Sequence, residues 1–227
     1  YNEQGMGDND IALLRLATPI ATWSHNVAPV PIGTSMVYDD QTAVVMGWGI
    51  TDPKDASSLA ETLQVTTISL SNDRAVCSSM YSGFQDSNND RICSADEQHT
   101  SKAGQDTCLG DSGGPLVVFD GRWVLAGITS YGNSPSGSAI CGAKDNVAYY
   151  THVAYFLPFI LAQTGLQYPA ITMGDGLTNV FENSRQWHNG RLASSATTLA
   201  GKLGSRGALG IYPWSALTAL VMAWMLK

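Results

Sequence analysis

An all-β fold is what this sequence predicts. Three observations carry that expectation: short apolar runs separated by polar breaks, an abundance of glycine (23 residues), and an Asp-Gly pair set between two apolar runs. Frequent glycines beside runs too short for a helix mean many turns. At 227 residues the chain is long enough to bury a real core, as one large domain or two small ones.

The strands can be placed in order. Residues 11–16 (Ile-Ala-Leu-Leu-Arg-Leu) follow an acidic, glycine-containing loop and suit a buried strand. Residues 43–49 (Ala-Val-Val-Met-Gly-Trp-Gly) form a second, ending in glycine punctuation, with Trp48 expected in the core. Residues 63–70 alternate and are β-branched at Val65, Thr66, Thr67 and Ile68. Residues 116–128 read as a hairpin around Asp120-Gly121, a two-residue turn signal because both positions tolerate positive φ. Tyr149, Tyr150 and Val153 continue the pattern, and a terminal helix is expected near 158–163, with Pro158 in its first turn.

From about residue 167 the character changes. Residues 167–207 are rich in Ser, Thr, Gly and Asn and read as a flexible stalk. Residues 208–226 turn apolar, a run of about 19 residues and long enough to span a bilayer. Three small residues at 194–196, a polar spacer at 197–207 and the apolar tail follow the order of a lipid (GPI) attachment signal. A transmembrane anchor is the alternative, made a poor helix by Pro213, Ser215 and Thr218. No secretory leader stands at the start, and the chain opens without an initiator methionine, so it reads as a fragment.

Composition narrows the function classes. The net charge is −7 and the pI near 4.8, with no basic stripe to neutralise phosphates, so a nucleic-acid partner is not expected. The four cysteines, Cys77, Cys93, Cys108 and Cys141, form no Cys-x-x-Cys pair, which argues against a zinc ribbon. Their even number and wide spacing suit disulfides made in an oxidising compartment, and spacing alone leaves three pairings open.

The decisive stretch is Gly104-Gln105-Asp106-Thr107-Cys108-Leu109-Gly110-Asp111-Ser112-Gly113-Gly114-Pro115. A nucleophilic serine needs an exposed hydroxyl and backbone N–H groups aimed at the developing oxyanion, and neighbouring glycines let the backbone turn those groups inward. This stretch resembles the nucleophile loop of the chymotrypsin-like serine proteases, in their trypsin branch. The resemblance covers roughly residues 1–166. Asp10-Ile11-Ala12 resembles the segment of the triad aspartate, Gly47-Trp48-Gly49 an interdomain motif, Ser130-Tyr131-Gly132 the strand that lines the substrate, and Tyr150-Thr151-His152-Val153 the closing segment.

The resemblance implies a two-barrel, all-β fold with a short C-terminal helix and most of the first barrel missing. Residues 1–30 would end the first barrel, 31–150 form the second with nucleophile and pocket, 151–166 the helix segment, 167–207 the stalk and 208–227 the anchor signal. It implies that Ser112 attacks the scissile carbonyl, Asp10 orients a histidine, and the N–H groups of Gly110 and Ser112 form the oxyanion hole. Asp106 would pair with an Arg or Lys side chain at the pocket floor, with Thr107, Ser130, Tyr131, Gly132 and Ala148 also binding substrate. The methyl of Ala148, where the family usually has glycine, would make the pocket shallower. Asp111 would pair with an N-terminal ammonium released by propeptide cleavage. The pairing Cys77–Cys93 and Cys108–Cys141 follows from the same resemblance. A further bridge of the family is absent, since its positions align with Ala43 and Val118. Stretches 94–105 and 133–140 would flank the pocket mouth.

The family's catalytic histidine precedes its aspartate, so it is expected upstream of Asp10. His25, His99, His152 and His188 all read as structural or surface residues. The expected activity is endopeptidase cleavage after Arg or Lys through an acyl-enzyme. The protein would be made as a zymogen, with no metal or organic cofactor. Peptide substrates and protease inhibitors are the expected partners, and the setting is the outer cell surface. The alternative is a non-catalytic homologue acting as a binding module. Gly110-x-Ser112-x-Gly114, with Asp145 and His152 after it, also fits an α/β-hydrolase elbow. Pro115 and the β-type run after it argue against the helix that elbow needs.

Overall fold

The computed structural model describes residues 8–18, 20, 27–36, 38, 41–71, 77–78, 81–84, 89–95, 105–133, 141–143 and 146–172, with strand backbone at 187–188, 191–192 and 219–222. The strands are β1 (Ala12–Arg15), β2 (Thr42–Gly47), β3 (Gln64–Ser69), β4 (Arg91–Ala95), β5 (Pro115–Phe119), β6 (Trp123–Asn133) and β7 (Val147–His152). Helices α1 (Leu157–Thr164) and α2 (Tyr168–Thr172) follow, then short strands β8 (Trp187–His188), β9 (Arg191–Leu192) and β10 (Ala219–Met222).

Six strands form one antiparallel sheet in the order β3-β2-β5-β6-β7-β4. Its edges approach each other where Ser71 N–H donates to the Cys93 carbonyl at 3.0 Å, so the sheet curls toward closure. Ala43, Val45, Ile68, Leu116, Val118, Ala126 and Tyr150 fill its interior. Ala43 and Val118 are register partners on β2 and β5, both fully buried. Two small apolar side chains thus face each other at the positions that align with the family's further bridge.

Two irregularities in β6 aim side chains. Thr129 pairs with Tyr150 and Tyr131 with Tyr149, so Ser130 is the extra residue of a bulge. A bulge rotates the local backbone and redirects the side chain it carries. A second lies between Leu116 and Val117 opposite Ala126.

Around the turn, Phe119 pairs with Trp123, leaving Asp120, Gly121 and Arg122 as a three-residue loop. The two-residue turn expected from sequence is therefore corrected: only Gly121 has positive φ (68°), whereas a type I′ turn needs two such residues. Trp48 is corrected as well. It is 58 % exposed, because the glycines on either side turn their backbone toward Asp111 and send the indole outward.

Helix α1 buries Leu157 and Ile160 on Ile32, Leu125, Ile128 and Val153, and Ile11 and Leu13 at β1 pack on the same cluster. Burying a side chain such as Ile160 contributes about 1.5–3 kcal/mol. Pro158 sits in the first turn, and Gly165 (φ 69°) ends the helix by donating its N–H to the Leu161 carbonyl. The stalk was expected to begin at residue 167, but α2 is docked. Ile171 packs against the α1 cluster, its carbonyl accepts from Ile32 N–H at 2.9 Å, and Thr172 is buried. β1 pairs with β10 in an antiparallel ladder outside the main sheet. Among the described residues no helix is long and apolar enough to cross a membrane.

Candidate active site

The loop from Gln105 to Gly114 is held mainly by its own backbone. Asp111 N–H donates to the Cys108 carbonyl (3.0 Å), Gly114 N–H to that of Asp111 (2.8 Å) and Gly113 N–H to that of Thr129 on β6 (2.9 Å). Gly110 (φ 99°) and Gly113 (φ 80°) bracket Asp111 and Ser112 in conformations other residues rarely adopt. The Ser112 side chain is left exposed. Among the described residues, the N–H groups of Gly110 and Ser112 donate to no backbone carbonyl, unlike those between and after them. The Cys108–Cys141 disulfide (1.99 Å) ties this loop to the segment before β7, and Cys77–Cys93 (2.12 Å) closes the β4 side.

Asp111 points beneath the loop. Its Oδ1 accepts from Gly49 N–H at 2.8 Å and its Oδ2 from Cys108 N–H at 2.9 Å. A Cβ at Gly47 would stand 2.0 Å from Asp111 Oδ1, and one at Gly49 2.6 Å from its carboxyl carbon. Both glycines of Gly47-Trp48-Gly49 therefore make room for this carboxylate, a function invisible in the motif alone.

Asp106 lies behind the same loop with nearly all its acceptor capacity in use. Oδ1 accepts from Thr107 N–H at 2.8 Å, and Oδ2 from Gly142 N–H at 3.0 Å and from the side-chain amide of Asn146. Burial pushes the Asp106 carboxyl above its ordinary range, and these three donors only partly offset that. Thr107 Oγ1 meets the Tyr150 hydroxyl at 3.1 Å. Gly132 is exposed and pairs with Ala148, whose methyl is buried in the sheet interior with Tyr150. Asn146 was not singled out from sequence; its 40-residue separation from Asp106 leaves no local signal.

Asp10 is 2 % exposed, although 120 residues of chain separate it from its partner. Its Oδ2 accepts from Ser130 Oγ at 2.7 Å and its carbonyl from Thr151 Oγ1 at 2.8 Å. The β6 bulge brings Ser130 here. Burial raises the Asp10 carboxyl, while the Ser130 bond and the Arg91 charge act in the opposite sense.

A model of the trypsin family matches residues 1–160. The chain belongs to the trypsin family of serine proteases. Within that family it is similar to Trypsin-1 of Astacus astacus, 34 % identical over 156 residues, covering 68 % of this chain and 60 % of the relative. It is 29 % identical to human testisin over 174 residues, 73 % of this chain and 52 % of that protein. Among solved structures it resembles neuropsin, a serine protease expressed in the limbic system of mouse brain. That match has 30 % identity and a TM-score of 0.50, over 63 % of this chain and 56 % of that one. The chain thus spans just over half the length of these relatives.

In this trypsin-family chain His152 belongs to the scaffold. It is buried, with Nδ1 2.8 Å from the Asn89 carbonyl and Nε2 3.0 Å from that of Ser35. Pro115 opens strand β5 rather than a helix, which removes the α/β-hydrolase reading. His25, His99, Asp145 and most of the stretches 94–105 and 133–140 lie outside the described residues, as do residues 193–218 of the proposed stalk and anchor signal. For His188 only the backbone of β8 is described. Among the described residues no cluster of His, Cys, Asp and Glu is arranged to hold a metal ion.

Proposed function

We propose that the chain is the larger part of a serine endopeptidase that cleaves after Arg or Lys through an acyl-enzyme. One observation carries this reading: an exposed Ser112 hydroxyl shares its loop with backbone N–H groups of Gly110 and Ser112 that no backbone carbonyl engages among the described residues. Ser112 attacks the carbonyl carbon of the scissile peptide. Its proton passes to a histidine supplied by sequence before Asp10, and Asp10 orients that ring and offsets its positive charge. The Gly110 and Ser112 N–H groups receive the oxyanion, where loss of one donor costs about 3 kcal/mol. The collapsing intermediate expels the amine, which takes the proton from the histidine, and water then releases the acyl group by the same steps. Asp106 meets the basic side chain, and Ser130 to Gly132 line the substrate.

Two further parts of this reading concern regulation and place. A new N-terminal ammonium would join the backbone donors at Asp111 and order the loop after zymogen cleavage. Disulfide bonding suits an extracellular setting, and the small-residue, spacer and apolar sequence at 194–226 supports a lipid anchor. Release from cells by a phosphatidylinositol-specific phospholipase is the expected outcome, and retention points to a spanning tail.

The test of catalysis uses activated full-length protein and a fluorophosphonate probe. Labelling at Ser112, together with turnover of Lys or Arg peptides, is expected. A Ser112 left unlabelled in folded, activated protein sinks the enzyme reading and leaves the non-catalytic binding module.

A further inference from the structure

Strand β4 carries an arginine whose surroundings are unusual for a charged side chain. Arg91 is 2 % exposed and forms an ion pair with Asp8. Its guanidinium lies over the Tyr81 ring, 3.6 Å from the centroid, and 5.6 Å from the centroid of Tyr131. Tyr131 in turn stacks on Tyr149 at 4.9 Å, and Tyr149 is fully buried. A buried cation is costly unless paired, and an apolar side chain of similar volume would serve stability as well. Packing alone therefore does not account for an arginine here.

The register shows what the arginine reaches. Arg91 pairs across the ladder with Thr151 of β7. Thr151 Oγ1 donates to the Asp10 carbonyl, while the Arg91 side chain takes Asp8. One cross-strand pair thus grips the turn at both ends, and the residue between, Asn9, sits at φ 53°. On its other side the same guanidinium neighbours Tyr131, which follows the bulge residue Ser130 that bonds Asp10. A planar, delocalised guanidinium stacks flat on a ring face and presents a rigid fork of N–H groups to a carboxylate at once, a geometry that a lysine ammonium does not hold.

We propose that Arg91 is a positioning residue for the active centre: it locks the turn of residues 8–10 against the substrate-lining strand, so that Asp10 and Tyr131 keep one mutual geometry. The proposal rests on the roles given to Asp10 and Tyr131 above. The groups facing the guanidinium are the carboxylates of Asp8 and Asp90 and the phenols of Tyr81 and Tyr131, with Asp10 and the Tyr149 phenol of β7 within electrostatic reach. Burial pushes the Tyr131 phenol up to about 12, so it stays neutral and Arg91 supplies the positive charge of the cluster.

The experiment compares Arg91→Met, Arg91→Lys and Asp8→Asn with wild type in activated full-length protein. The readouts are kcat and KM on an extended Lys peptide, the pH profile of kcat/KM, and the melting temperature. Wild-type turnover reports on the enzyme reading itself, and the variant-to-wild-type ratio reports on Arg91. Arg91→Met is expected to lower kcat by about tenfold to a hundredfold, the usual effect of misplacing a catalytic group by about 1 Å. Its acid limb should move to higher pH, because removing a nearby cation lets Asp10 and the histidine it serves hold protons more tightly. Arg91→Lys should restore the acid limb, since the charge returns, but not kcat, since the planar fork does not. Asp8→Asn, at a side chain 36 % exposed and so better tolerated, should lower kcat in the same direction and provides the test if Arg91→Met does not fold. Wild-type kcat and an unmoved acid limb in Arg91→Met or Asp8→Asn, with only a lower melting temperature, would overturn the proposal.

Discussion

The two sides of the proposed active centre are built by different means. On the Ser112 side, geometry comes from the main chain: Gly110 and Gly113 at positive φ, backbone bonds within the loop, and the Cys108–Cys141 bridge. On the Asp10 side it comes from side chains meeting across the fold: Ser130 on Oδ2, Thr151 on the carbonyl, Arg91 on Asp8. The first side is local and compact in sequence. The second is assembled from residues more than 80 positions from the turn they hold. Substitutions on the two sides should fail differently, abruptly where chemistry or backbone space is removed and gradually where one of several grips is lost.

The sharpest test is at the proposed nucleophile. Ser112→Ala should cut kcat on the order of a millionfold while leaving the melting temperature nearly unchanged, since the side chain is exposed; a modest fall in kcat would remove Ser112 from the chemistry. Next comes Asp106, the proposed pocket floor. Asp106→Asn should weaken kcat/KM on Lys and Arg substrates by about 3 kcal/mol, over a hundredfold, since it leaves a desolvated cation unpaired. In wild type the carboxylate must be ionised to bind a cation, and burial raises its pKa. Benzamidine affinity should therefore fall as pH drops through that raised value, at a higher pH than for an ordinary carboxylate; a flat inhibition constant down to pH 4 would contradict this assignment.

Gly49→Ala sets backbone space against side-chain grip. Its Cβ would collide with Asp111, and a loss of about 1–3 kcal/mol is expected from urea unfolding. An unchanged midpoint would mean that the carboxylate is free to move aside. The smallest effect concerns substrate choice. The Asn146 amide and Gly142 N–H occupy Asp106 Oδ2, and Thr107 N–H takes one site on Oδ1. A lysine ammonium needs a single acceptor site, whereas a bidentate arginine fork needs both oxygens. Asn146→Ala should raise the Arg-to-Lys ratio of kcat/KM by about tenfold, the value of one hydrogen bond to a charged group. Equal gains on both substrates would show that the amide acts on pocket shape instead.

Particular residues show how far sequence reading reaches. Strand β3 was legible by its alternation, and β2 and the β5–β6 hairpin by short apolar runs bounded by glycine or an Asp-Gly turn. Ala43 and Val118 were matched as a pair and do face each other. The turn at Gly121 was found but its length was not, because Phe119 and Trp123 pair and leave three residues between them. Trp48 was misplaced because hydrophobicity favours burial, while the glycines beside it answer to a carboxylate more than 60 residues away. Asn146 and Arg91 carried no signal, since each acts on a residue far along the chain.

By itself the sequence determined several strands of the main sheet, the loop that presents Ser112 and the resemblance to a protease family, the strands from apolar patterning and the other two from residues adjacent in the chain; edge strand β4 carried no such pattern. The tertiary structure alone decided that Asp106 is nearly saturated with donors, that Ser130 is turned toward Asp10 by a bulge, and that a buried Arg91 grips the turn before it. These depend on which distant strands share a register, and hydrogen bonds and ion pairs form only when that register brings their partners within about 3 Å.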